Sequence, residues 1–229
     1  MHAERSNVPR ERRARATVGV ETAPDPSAWD DLWDLYFTAF EPLQELALLN
    51  HLYSRTAFDL LLADERVSKL IAWVEGRPVG LAMITNQLDI VPQISPPFLR
   101  RKYPEMAERQ AVFFGIMIFV AESHRRTSAF ARLIAGMGQI TAQSNGVVVF
   151  DICRHNLEAS ELDRQIATIS RWFPGSSFEQ VDEQKYFAAT LPTQPERRLP
   201  ISSLAGLEPT ANVKPVHHEH QIAVPAAGA

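Results

Sequence analysis

The stretch Val112-Phe113-Phe114-Gly115-Ile116-Met117-Ile118-Phe119-Val120 carries no charge, and the polar run Glu122-Ser123-His124-Arg125-Arg126-Thr127-Ser128 follows it. A short apolar run rich in β-branched and aromatic residues, bounded by a turn, predicts a fully buried strand at the centre of a sheet. The polar run then reads as a turn opening a helix over residues 129–144, which Asn145-Gly146 ends with a left-handed residue. Beyond it, residues 147–153 read as a second buried strand and residues 157–173 as another helix, broken by Pro174-Gly175.

Upstream, Pro24-Asp25-Pro26-Ser27 is a turn with Ser27 placed as a helix cap. Trp29, Leu32, Trp33, Tyr36, Phe37 and Phe40 recur at spacings of three and four, one face of a helix. A second helical stretch follows Pro42 and carries Leu46, Leu49, Leu52, Tyr53, Phe58 and Leu62. Residues 69–74 and 78–85 are β-rich and are joined by Glu75-Gly76-Arg77, a hairpin connection with Gly76 at a position needing positive φ. Gly80 and Ala82 leave room for close backbone approach. Residues 89–109 hold Pro92, Pro96, Pro97 and Pro104, with a short helix expected between Pro97 and Tyr103. Two closing strands are expected at residues 178–181 and 185–191.

Hydrophobic residues make up 45% of the 229 and charged residues 22%, enough apolar material for a packed core. A net charge of -4 argues against a general nucleic-acid binder, which needs a cationic surplus to displace counterions. The single cysteine, Cys153, permits no intrachain disulfide and suits a reducing compartment. The longest uncharged apolar run, residues 111–121, is far short of the ~20 residues that cross a bilayer, and no secretory signal is legible. A cytoplasmic protein is therefore expected.

Residues 1–26 are expected to form a disordered arginine-rich arm. Arg5, Arg10, Arg12, Arg13 and Arg15 face only Glu4 and Glu11 over the first sixteen residues, so an electrostatic docking arm is the alternative. Residues 192–229, with Pro192, Pro195, Pro200, Pro209, Pro215 and Pro225, are expected to be a disordered tail. His217, His218, Glu219 and His220 have the chemistry of metal ligands but no rigid frame, so no metal site is expected. One folded domain then spans residues 27–191.

The order of elements over residues 29–191 resembles the GNAT family of acyl-CoA-dependent N-acyltransferases. The family's turn after the central strand is R/Q-x-x-G-x-G/A; here it is Arg125-Arg126-Thr127-Ser128-Ala129-Phe130, followed by apolar Leu133 and Ile134. Ser128 and Phe130 stand where the family has small residues, so the loop is a degenerate form of the motif. Asn156, followed by Ala159, matches the asparagine that opens the family's last helix. The resemblance implies an α/β (α+β) fold with a mixed, mostly antiparallel central sheet flanked by helices. It implies acetyl-CoA or another acyl-CoA as co-substrate, and a small-molecule or protein amine as acceptor. The loop amides around Thr127, Ser128, Ala129 and Phe130, with the helix dipole and the Arg125 and Arg126 side chains, would bind the pyrophosphate. The pantetheine arm would lie on Ile118, Phe119 and Val120, near Asn156. The plainer alternatives are an ordinary helix start, with Ser123 or Thr127 as cap, and an Asn156 that only caps its helix.

Acyl transfer to an amine needs a base, a polarised carbonyl and a proton for the leaving thiolate. The resemblance gives polarisation to a strand amide near Phe119 or Val120. Three side chains are candidates for proton transfer: Asp151, expected on a buried strand where its pKa would rise; Glu122; and His124. Tyr103, Glu105 and Glu108 are further residues that an acceptor would meet. The family's proton-donating tyrosine, seven residues after the asparagine, is replaced by Asp163. Cys153 reads as a small core residue. The leading expectation is an N-acyltransferase; the alternative is an inactive GNAT-like module that binds acyl-CoA or a protein. By analogy with the fold, the first helices and strand edges also suit a homodimer.

Overall fold

The computed structural model describes residues 16–48, 52–125 and 127–190. The chain divides into two compact units, Met1–Gln180 and Val181–Ala229. The boundary thus falls before the expected end of the domain at residue 191.

In the first unit β1 (Thr17–Glu21) precedes α1 (Trp29–Phe40), the one-turn α2 (Leu43–Leu46) and α3 (Arg55–Ala63). The strand corrects the expectation of an arm over residues 1–26, because Thr17–Glu21 pairs antiparallel with the next strand. Asp25, not Ser27, caps the short 3-10 turn before α1, accepting the Ser27 N–H at 2.8 Å. The stretch after Pro42 is likewise two helices, because α2 ends at Leu46 and α3 starts afresh with its own cap. The Ser54 hydroxyl accepts the Ala57 N–H at 3.2 Å.

The hairpin β2 (Ser68–Val74) and β3 (Arg77–Thr85) stands where expected, with Glu75 at φ 51° and Gly76 at φ 76° in its turn. The proline-rich segment forms α4 (Pro96–Lys102) and α5 (Pro104–Glu108), each with proline in its first turn. Next come β4 (Val112–Val120), α6 (Ala129–Gln143) and β5 (Val147–Val149). Asn145 supplies the left-handed residue after α6, at φ 46°. Gly146 is needed for another reason: a side chain there would collide with the Ala111 carbonyl oxygen.

The sheet order is β1-β2-β3-β4-β5, antiparallel except for the parallel pair β4 and β5. It is the mixed, mostly antiparallel sheet expected from the sequence. One face is covered by α6 through Ala129, Leu133 and Met137. The other is covered by α1 and α3 through Leu32, Tyr36, Phe58 and Leu62. The proline-rich segment packs Leu88, Val91 and Leu99 onto Val112 and Phe114.

Two expectations fail after β5. The strand expected over residues 147–153 stops at Val149, and the single helix over residues 157–173 is two: α7 (Arg154–Ser160) and α8 (Leu162–Ser170). Glu161 separates them at φ 46°, a conformation no α-helix contains. The expected closing strands do not form; residues 171–190 carry neither helix nor strand. A strand needs a partner to take up its backbone groups, and β5 ends too early to supply one over this length. In the second unit the described residues 181–190 place Lys185 Nζ 3.5 Å from a Glu183 carboxylate oxygen. The first fifteen residues and the histidine-containing tail lie outside the described residues. Among those described, no helix is long and apolar enough to cross a membrane.

Candidate functional site

The site follows from where β4 loses its second neighbour. β4 pairs with β5 only through Val112, Phe113 and Phe114, the last opposite Val149. From Gly115 onward it pairs with β3 alone, ending at Ile118 opposite Ala82, Phe119 opposite Leu81 and Val120 opposite Gly80. The strands part because residues 150–153 leave the sheet to enter α7. One edge of β4 over residues 115–120 therefore keeps backbone groups without a strand partner, a template for an extended ligand. Ile118, Phe119 and Val120 all lie on this edge.

The register also slips between Met83 and Ile84, which leaves Ile116 without a partner. Ile116 and its neighbour Met117 both pack toward α1 and α3, so two consecutive side chains share a face. That is a β-bulge, and it re-aims the backbone where the strands divide. On the α6 side Gly115 lies against Met137; an added Cβ would come within 2.9 Å of its methyl.

At the other end of the free edge the chain makes a 3-10 turn, Glu122–His124, and enters α6. The amides of His124, Arg125 and Thr127 bond to the carbonyls of Ala121, Glu122 and His124. The Thr127 hydroxyl donates to His124 O at 2.7 Å and accepts the Ala129 N–H at 3.2 Å, so Thr127 caps the helix. Ser128 makes no cap bond; its hydroxyl accepts from Arg132 Nε at 3.1 Å. Thus Thr127 and Ala129 already use their amides locally. An anion is left the N–H groups of Ser128, Phe130 and Ala131, the helix dipole and the exposed Arg125 side chain. The half-buried Phe130 packs against the cluster formed by the sheet and α6. Arg126 lies outside the described residues.

Glu122 is exposed and His124 half-buried, with Nδ1 2.9 Å from the Ser123 hydroxyl. Both belong to the turn at the α6 end of β4. Asp151 follows two residues beyond β5, level with the part of β4 where the strands separate. It is exposed, which corrects the expectation of a buried strand aspartate, because β5 ends before reaching it. Asn156 sits inside the first turn of α7, whose N-cap is Cys153, so Asn156 is not the cap. Asp163 is half-buried in the first turn of α8. Tyr103 donates to Glu179 at 3.2 Å, and Glu105 and Glu108 are exposed.

The sequence reading missed a polar cluster around Tyr36. Tyr36 is fully buried, its ring 5.9 Å from Phe119, and burial pushes its phenol up to about 12. Its hydroxyl accepts the Tyr53 backbone N–H at 2.6 Å. The Tyr53 hydroxyl in turn accepts from Gln93 Nε2 at 2.5 Å. Burial first, and then the nearby Asp151 charge, hold the Tyr53 phenol above its usual value, against the lowering effect of the Gln93 bond. Tyr53 had been assigned only to a helix face, and Gln93 to a proline-rich connection. Nothing local in either stretch marks the two as partners. Among the described residues no group of three or more His, Cys, Asp or Glu is placed to hold a metal.

No family model matches the chain, and no curated protein matches it. Three solved structures illustrate what it is similar to. An aminoglycoside acetyltransferase from an uncultured soil metagenomic sample, in complex with sisomicin, shares 14% identity at a TM-score of 0.43, over 76% of this chain and 97% of that one. A ribosomal-protein-alanine N-acetyltransferase from Brucella melitensis biovar Abortus shares 16% over 77% and 99%, TM-score 0.43. An aminoglycoside 6'-N-acetyltransferase from Acinetobacter haemolyticus shares 16% over 76% and 99%, TM-score 0.44.

Proposed function

We propose that the chain is a GNAT-type N-acyltransferase that moves an acetyl or longer acyl group from acyl-CoA to an amine. The observation that carries the reading is the parting of β4 from β5 after Phe114 and Val149, with a bulge at Ile116 and a helix-opening turn at the far end. The free edge suits the amides of a pantetheine arm, and Phe130 packs against the cluster between the sheet and α6. Arg125 and the Ser128 N–H would hold the pyrophosphate, the β4 edge through Ile118, Phe119 and Val120 the arm, and Asn156 its far side.

In the reaction the amine nitrogen bonds to the thioester carbonyl carbon, the C–S bond breaks and its electron pair leaves on sulfur. One amine proton departs to a base, and the thiolate gains a proton. With phosphates at the α6 end, the reacting end of the arm lies toward Ile116, about 13 Å back along the strand from Val120. Asp151 stands on that side and is assigned the amine's proton, whereas Glu122 and His124 stand at the phosphate end. A cytoplasmic setting agrees with the free thiol of Cys153.

A second reading is an inactive acyl-CoA-binding module. It is favoured by Asp163 in the place of the family's tyrosine and by the local engagement of the Thr127 and Ala129 amides. Calorimetry with acetyl-CoA and longer acyl-CoA, for wild type and Arg125→Ala, tests both. Binding that weakens about tenfold in the variant supports the phosphate site. Release of CoA thiol on adding amines then separates enzyme from module. A folded wild type that binds no CoA ester overturns both readings.

A further inference from the structure

β1 is the outermost strand of the sheet. It pairs with β2 on one side, and among the described residues no strand lies along its other edge. That edge keeps a row of backbone N–H and C=O groups without a strand partner, a template for another strand. Lysine, proline or a bulge commonly blunts such an edge. β1 has none of them: it reads Thr17-Val18-Gly19-Val20-Glu21, and its register runs from Thr17 opposite Trp73 to Glu21 opposite Lys69 without a slip. Val18 packs against the cluster on the α6 side. Val20, two residues on and therefore on the same face, is 56% exposed.

The strand is nearly symmetric about Gly19. Antiparallel pairing with a second copy, Gly19 opposite the partner's Gly19, sets Val18 against the partner's Val20 and Thr17 against the partner's Glu21. Each exposed valine is then covered by a valine, a favourable cross-strand pair. Directly opposite residues share a face, so the α6 side of one sheet continues into the α6 side of the other.

Charge complementarity selects a second copy as the occupant. The residues before β1 carry Arg5, Arg10, Arg12, Arg13 and Arg15 against Glu4 and Glu11. Those after it carry the exposed Asp25, Asp30, Asp31 and Asp34, of which Asp30 is ion-paired with Arg55. Within one copy the cationic and anionic segments leave opposite ends of β1, about 13 Å apart. In an antiparallel pair the cationic end of each strand adjoins the anionic end of the other, so the attraction forms twice about one twofold axis.

We propose that β1 is a dimer edge: two copies of this chain pair their β1 strands antiparallel about Gly19 into one continuous sheet, with the arginines before each strand drawn to the acidic segment after the other. β2 and β3 separate this edge from β4, so the pairing leaves the open edge of β4 uncovered.

Sedimentation equilibrium of the full chain tests this without CoA, so the outcome is independent of the acyltransferase reading. Wild type should be dimeric at about 10–100 µM, and Val20→Lys should raise the dissociation constant about tenfold or more. Val20 is exposed, so the circular dichroism of Val20→Lys should match wild type. Raising salt from about 0.1 M to 1 M shortens the reach of the charges from about 10 Å to 3 Å and should also weaken the dimer. Disulfide crosslinking in a Cys153→Ser background tests the register. A Cβ at Gly19 would meet only Glu21 Oε1 at 3.5 Å and Trp73 Nε1 at 4.0 Å, so Gly19→Cys is accommodated. Oxidation should link two Gly19→Cys chains and leave Thr17→Cys unlinked, since the two Thr17 positions lie about 13 Å apart along the strands. A wild type that stays monomeric, a dimer that Val20→Lys leaves intact, or equal crosslinking at both positions overturns the proposal. So does a monomer that dimerises only once residues 1–15 are removed, because the chain's own first residues would then cover the edge. A dimer insensitive to salt overturns the part given to the arginines.

Discussion

The hydroxyl of Tyr36 accepts the backbone N–H of Tyr53 at 2.6 Å, tying the middle of α1 to the residue that begins the approach to α3. The bond lies within the aromatic cluster of Tyr36, Phe40, Phe58 and Phe119, with Tyr36 and Phe58 stacked at 4.8 Å. It fixes the Tyr53 backbone without using the Tyr53 hydroxyl.

Tyr36→Phe keeps the ring and removes the acceptor. The Tyr53 N–H then loses its partner, and unfolding free energy should fall by about 1–2 kcal/mol. Urea denaturation measures this. Because the change leaves the α6 turn alone, acetyl-CoA binding should hold.

Lys69 is fully buried, with Nζ donating to Thr22 O at 2.7 Å and Asp64 O at 2.5 Å. Burial pulls its pKa down to about 8, against an upward pull from Asp64 and Glu65. The unfolded chain, with an ordinary lysine, then binds more protons than the folded one above pH 8, so stability from this residue rises with pH there. A gain of about 1–3 kcal/mol is expected across the window from pH 8 toward the unfolded value, the tyrosines opposing it near its top. The difference between wild type and Lys69→Met, melted at pH 7 and pH 9.5, isolates the effect. A difference that does not grow with pH refutes it.

Two glycine substitutions should differ in cost. In Gly146→Ala the new methyl meets the Ala111 backbone oxygen, which cannot swing aside. In Gly115→Ala it meets the mobile end of Met137. Denaturation should show a loss of about 2–3 kcal/mol for the first and clearly less for the second.

Phe130 packs into the cluster between the sheet and α6. Phe130→Ala should therefore cost about 1–3 kcal/mol of stability and leave acetyl-CoA affinity within about twofold of wild type. A gain in affinity would mean that the ring obstructs the phosphates.

The hairpin around Gly76, the central strand and α6 were legible because each is written in consecutive residues: a positive-φ turn, an unbroken apolar run and a helix opened by a polar turn. β1 was not, since five residues of Thr-Val-Gly-Val-Glu behind an arginine-rich stretch become a strand only by pairing with Leu70 and its neighbours. Residues 178–190 show the reverse: β-prone side chains that find no partner strand and stay irregular.

By itself, then, the sequence determined the hairpin, the central strand and the turn that opens α6, because propensity, capping and backbone sterics act over a few residues. Only the tertiary structure decided where β4 and β5 part, that Ile116 bulges, and that Gln93 reaches the Tyr53 hydroxyl. Those facts depend on residues 31 to 40 positions apart, and only the closing of the chain around both faces of the sheet brings such residues together.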